Sequence, residues 1–121
     1  GGVEVMAGVL ERFPGLKVLL AHGGGALPWL RGRLRHASAH VAAAGKVDVD
    51  ASLRRLHYDS LTHDAEVLRG LVEFVGAERV LAGSDHPFDM GDQDPAATVR
   101  AAGLGAEAEA LILSGNAERL L

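Results

Sequence analysis

Apolar residues along this chain fall alternately into helical spacing and into short unbroken runs. Val3–Phe13 places Met6, Val9, Leu10 and Phe13 on one helical face, with Glu4, Glu11 and Arg12 on the other. Pro14-Gly15 stops that helix, and Lys17–Ala21 follows as a strand. Pro28 suits a first helical position, so the Ala-rich Trp29–Ala44 reads as a helix ended by Gly45. Lys46–Asp50 reads as a loop, Ala51–Leu56 as a short helical turn and His57–Ser60 as a strand candidate. Asp64 caps a helix whose apolar face is Leu68, Leu71, Val72 and Val75, ended by Gly76. Arg79–Ala82 is a buried strand closed by Gly83, and Pro87 forbids the ladder from continuing. Asp94-Pro95 opens a helix over Ala96–Ala102, which Gly103 and Gly105 break. Ala106–Leu113 and Ala117–Leu121 read as two closing helices, with Asn116 as the cap of the second.

Helices alternating with strands predict an α/β fold with a parallel sheet and crossover helices. Three predicted strands are few, and a parallel sheet needs both faces covered. The pattern therefore fits about the last third of a (β/α)8 TIM barrel. The chain opens at Gly1-Gly2 without an initiator Met and runs at once into a helix. Residues 1–121 are accordingly expected to be the C-terminal part of one barrel domain whose N-terminal part is missing. No internal repeat or linker interrupts them.

Composition narrows the function classes. With 48% hydrophobic residues among 121, the chain can bury a core. A net charge of −4 and no basic stripe interleaved with aromatics argue against nucleic acid as a partner. The absence of Cys excludes disulfides and thiolate zinc sites and fits a reducing compartment. No apolar run reaches the roughly 18–20 residues of a membrane span, and Gly1–Gly15 lacks the pattern of a signal peptide. The expectation is a soluble, cytoplasmic protein with no membrane partner.

Candidate chemistry clusters at two strand ends. His22 closes one strand and precedes three glycines, which allow a sharp turn or a close backbone approach to a ligand. The imidazole could face a cavity as a base, or bond a neighbouring carbonyl in an ordinary turn. His-Gly-Gly-Gly also occurs in esterase oxyanion loops, but Ser38, Ser52, Ser60, Ser84 and Ser114 all lack the flanking glycines of a nucleophile turn. Asp85 could ligate a cation at a barrel mouth or simply bond turn amides. Its pairing with His22 at an equivalent strand end favours the first. His86 fits a supporting role. His36 and His40, four residues apart, lack a third ligand and fit a solvated face, as do Arg31, Arg33 and Arg35. Asp59 and His63 could reach the cavity, whereas Asp64 reads as a cap.

Four segments carry a resemblance: GVLERFPGLKVLLAHGGGALPWLRGR, YDSLTHD, RVLAGSDHPF and GNAERLL. Together they resemble the C-terminal part of the decarboxylase branch of the amidohydrolase superfamily, the aminocarboxymuconate semialdehyde decarboxylases above all. The resemblance implies a zinc-dependent barrel that removes a carboxylate non-oxidatively from a small carboxylated substrate. It implies that His22 is the catalytic histidine that helps deprotonate water, and that Asp85 is a metal ligand. Arg33 would bind the substrate carboxylate across a homodimer interface, standing roughly 8 Å along the helix that Pro28 begins, at ~1.5 Å per residue. Phe88 would be an aromatic pocket residue. The family's His-x-His pair and further histidine ligand have no counterpart in this chain. The one Zn2+ would thus take its remaining ligands from outside these residues, and the isolated chain should bind zinc poorly and catalyse little. Alternatives are a hydrolase or hydratase of the same superfamily, a hydroxyaryl-acid decarboxylase, or a non-catalytic remnant.

Overall fold

A computed structural model describes residues 8–40 and 47–121. Helix α1 (8–12) stops before Pro14-Gly15, as its breakers require. Met6 of the predicted first helix, and the stretch 41–44 with Gly45 after it, lie outside the described residues. Strand β1 (Leu19–Leu20) leads to a tight turn at His22–Gly24, and helix α2 runs Arg31–His40. The helix therefore starts after Pro28 and Trp29, which lie in turns. Arg33 consequently stands in its first turn, closer to the helix start than the spacing from Pro28 predicts. Helix α3 (Val49–Arg55) begins earlier than the expected helical turn because Asp48 caps it, its Oδ1 accepting the Ala51 N–H at 3.0 Å.

Strand β2 (His57–Asp59), helix α4 (Ala65–Val75), strand β3 (Val80–Leu81) and helix α5 (Pro95–Ala101) follow. The sheet is parallel in the order β1-β2-β3, pairing Leu19 with His57, Tyr58 with Val80 and Asp59 with Leu81. Asp64 caps α4 as predicted, its Oδ1 accepting from Glu66 N–H at 2.8 Å and Val67 N–H at 3.0 Å.

Leu68, Leu71 and Val75 on α4, Val99 on α5 and Ile112 pack around Tyr58 and Val80, all buried. Each large apolar side chain so buried contributes roughly 1.5–3 kcal/mol. Tyr58 is fully buried, and its hydroxyl donates to the Leu53 carbonyl at 2.8 Å. Burial also pushes its phenol up to about 12.

The C-terminal segment departs from expectation. Helix α6 (Ala106–Ala110) passes through a wide turn at Leu111–Gly115 directly into α7 (Asn116–Leu120). Asn116 is helical and buried rather than a cap. Its Nδ2 donates to the carbonyls of Ala77 at 2.7 Å and Val80 at 2.6 Å, anchoring the helix to the entry of β3. Among the described residues, no helix is long and apolar enough to cross a membrane.

Candidate active site at the strand carboxyl ends

Each strand runs out into a loop that holds one non-glycine residue in left-handed backbone: His22 after β1 (φ 57°), His63 after β2 (φ 53°) and Asp85 after β3 (φ 55°). Such conformations are uncommon outside glycine, and they concentrate where a side chain must be aimed. Two of them are aimed at each other. His22 Nε2 lies 3.5 Å from Asp85 Oδ2, with the imidazole well exposed and the carboxylate partly covered.

The glycines after His22 are needed for this approach. Gly23 has φ 60° and packs on Thr62, while a Cβ on Gly24 would lie 2.7 Å from the Tyr58 ring. Only a bare backbone allows the turn to lie flat on the buried tyrosine. The loop after β3 is closed by its own bonds, Phe88 N–H to Asp85 O at 3.0 Å and Asp92 N–H to Ser84 O at 2.8 Å. Thr98 Oγ1 donates to Asp92 and, as the leading cause, holds that carboxyl below the usual range.

The other candidates fall in different places. Asp59 does not face open space: its Oδ1 accepts the N–H groups of Gly23 at 2.9 Å and Leu61 at 3.1 Å. His63 Nε2 is engaged with the Met90 carbonyl at 2.6 Å. By sequence both could reach the cavity; their long-range backbone partners, Gly23 and Met90, are brought near only by the fold. His36 and His40 stack on one helix face at 4.2 Å, with both residues exposed. Arg31 lies over the Phe74 ring at 4.3 Å and Arg35 pairs with Asp50 at 2.9 Å, which ties α2 to its neighbours. Arg33 is exposed and makes no hydrogen bond or ion pair among the described residues. Phe88 is 66% exposed, beside Asp85 in the loop.

A cleft of about 250 Å³ adjoins the pair, lined by His22, Gly23, Trp29, Thr62 and Leu71. A larger one of about 430 Å³ lies at the opposite, amino-terminal ends of the strands, beside Lys17, Arg55, His57, Arg79 and Arg119. Size alone would select the second. The first is lined by His22, whose imidazole approaches Asp85, and parallel α/β sheets place their chemistry at carboxyl ends.

Two donors on one tetrahedral zinc, with bonds of ~2.0–2.2 Å, stand roughly 3.3–3.6 Å apart. The spacing of His22 and Asp85 fits a cation shared by, or bound beside, the pair. Catalytic zinc usually takes three protein ligands, and the described residues hold no cluster of three or more His, Asp or Glu able to bind a metal.

The chain is similar to known proteins in sequence and in fold. A family model described as Amidohydrolase matches residues 2–121. The 2-amino-3-carboxymuconate-6-semialdehyde decarboxylase of Dictyostelium discoideum is 37% identical over 95 residues, 75% of this chain and 26% of that protein. The Caenorhabditis elegans protein of the same name is 40% identical over 92 residues, 73% of this chain and 23% of that protein. The crystal structure of 5-carboxyvanillate decarboxylase from Sphingomonas paucimobilis matches with a TM-score of 0.82 at 27% identity, over 96% of this chain and 36% of that one. The chain spans about a quarter of the length of the two curated relatives. Its three parallel strands with their helices are a piece of the TIM barrel of these proteins. By sequence and by fold, the chain belongs to the amidohydrolase family.

Proposed function

We propose that this chain is the C-terminal part of a zinc-dependent decarboxylase that removes a carboxylate non-oxidatively from a substrate of the aminocarboxymuconate semialdehyde type. The observation that carries the reading is the approach of His22 Nε2 to Asp85 Oδ2, 3.5 Å apart at the ends of β1 and β3. In it, Asp85 holds the cation together with ligands from outside these residues. Zinc, when bound, acidifies water and polarises the substrate. His22, exposed at the cleft, takes the proton of the attacking water. Arg33, without a hydrogen bond or ion pair among the described residues, orients the substrate carboxylate from the neighbouring subunit of a homodimer; a bidentate contact would favour Arg over Lys. Phe88 supplies an aromatic wall. The enzyme is read as cytoplasmic, without nucleic acid or membrane partners.

The likeness to 5-carboxyvanillate decarboxylase supports a second reading, a hydroxyaryl-acid substrate on the same site. Release of carbon dioxide from both substrate types decides between them, measured on the polypeptide that joins this chain to the rest of its barrel. The first reading predicts zinc-dependent turnover of the semialdehyde, lowered at least ~100-fold in His22→Ala. Hydrolysis without carbon dioxide would move the assignment to a hydrolase of the family. No turnover of any substrate with zinc bound would favour a non-catalytic remnant.

A further inference from the structure

Asp59 closes the middle strand, β2, between the two strands that lead to His22 and Asp85. Part of its bonding is local, since the Leu61 N–H it accepts at 3.1 Å belongs to the turn it begins. The other part is not. The Gly23 N–H that it accepts at 2.9 Å lies 36 residues away in sequence, on the residue directly after His22. A charged acceptor makes the stronger kind of hydrogen bond. This one holds the first peptide beyond a histidine whose left-handed backbone is itself unfavourable (φ 57°). On the other side, Gly83 comes so close that a Cβ on it would lie 2.9 Å from Asp59 Cβ. The Gly83 N–H also donates to the Oγ of buried Ser60 at 3.3 Å. Ser84 and Asp85 follow directly. The end of β2 is therefore the common footing of both loops.

We propose that Asp59 is a positioning residue for His22: its carboxylate clamps the Gly23 amide and so fixes the left-handed turn that brings the imidazole to Asp85. The catalytic consequence rests on the function proposed above; the clamp itself does not.

The test has two arms. In the first, amide hydrogen exchange is followed by NMR on the chain. Asp59→Ala should speed exchange of Gly23 at least ~10-fold, while Asp59→Asn, which keeps an Oδ1 acceptor, stays near the parent. Unchanged exchange at Val99 and Ile112 certifies the fold, and Asp59→Ser replaces the alanine variant should that chain not fold. In the second arm, on the joined barrel, Asp59→Ala should lower kcat about 100-fold with KM and zinc content held, and Asp59→Asn should recover most of it. Parent-like protection of Gly23 in a folded Asp59→Ala chain overturns the proposal. So do equal losses of kcat in the alanine and asparagine variants. A parent barrel that releases no carbon dioxide defeats the proposed function instead, and the exchange arm then decides the clamp alone.

Discussion

Left-handed backbone at a side chain other than glycine costs roughly 1–2 kcal/mol, and this chain adopts it at His22, His63 and Asp85, once beyond each strand. The cost is offset locally by the Gly23–Asp59 bond, the His63–Met90 bond and the turn bonds of the Asp85 loop. His57, at the other end of β2, shows a different strain. It is buried, Arg79 Nη1 stands 3.4 Å from its Nε2, and its Nδ1 has no hydrogen-bond partner among the described residues. Burial, then Arg79 and Lys17, lower its pKa below the ordinary 6.5. The unfolded chain therefore takes up this proton first. The contribution to stability is complete above pH 6.5 and is lost as pH falls below it, because there the unfolded state binds more protons. Urea unfolding between pH 7 and 5 should show stability falling toward acid, with a shallower fall in His57→Gln. An equal slope in both would remove His57 from the account.

At the scale of elements, the strands and α4 were legible because their signals are local. Apolar runs end at His22-Gly23 and Gly83, and Asp64 with Gly76 brackets a clean helical stripe. What could not be read depends on partners distant in sequence. Asn116 has the composition of a cap, yet its amide serves two carbonyls 36 and 39 residues away. Asp59 likewise reads as a residue of the cavity until the fold places Gly23 beside it. The start of α2 departs from the spacing for a related reason: Pro28 is compatible with a first turn, but here it is buried in the turns that seat Trp29. Asn116→Ala would take its side-chain donor from the Val80 carbonyl, at about 1–3 kcal/mol for a buried acceptor, while the Ala77 carbonyl keeps the Val80 N–H. Chemical denaturation should register a loss of about 1–3 kcal/mol, and a change under 0.5 kcal/mol, the ~±0.5 scale of surface substitutions, would contradict the anchoring role.

At the scale of the molecule, the sheet has β1 and β3 at its edges, and Leu19 on β1 is 54% exposed. Beyond β3 the chain adds a further backbone bond, Ala82 N–H donating to Ile112 O at 2.8 Å. The chain covers 36% of the 5-carboxyvanillate decarboxylase structure, and its described residues hold no group of three or more potential metal ligands. That His22 and Asp85 stand at strand ends was legible in the sequence; the geometry of their approach was not, because it depends on left-handed turns that composition does not specify.

The central claim is that Asp85 binds a catalytic cation with His22 acting beside it. Zinc content and affinity of the joined barrel, measured for the parent, Asp85→Ala and His22→Ala, test it most directly. The account predicts about one zinc per barrel in the parent, an affinity at least ~10-fold weaker in Asp85→Ala, and zinc retained with turnover lost in His22→Ala. Parent-like zinc binding in Asp85→Ala would contradict it.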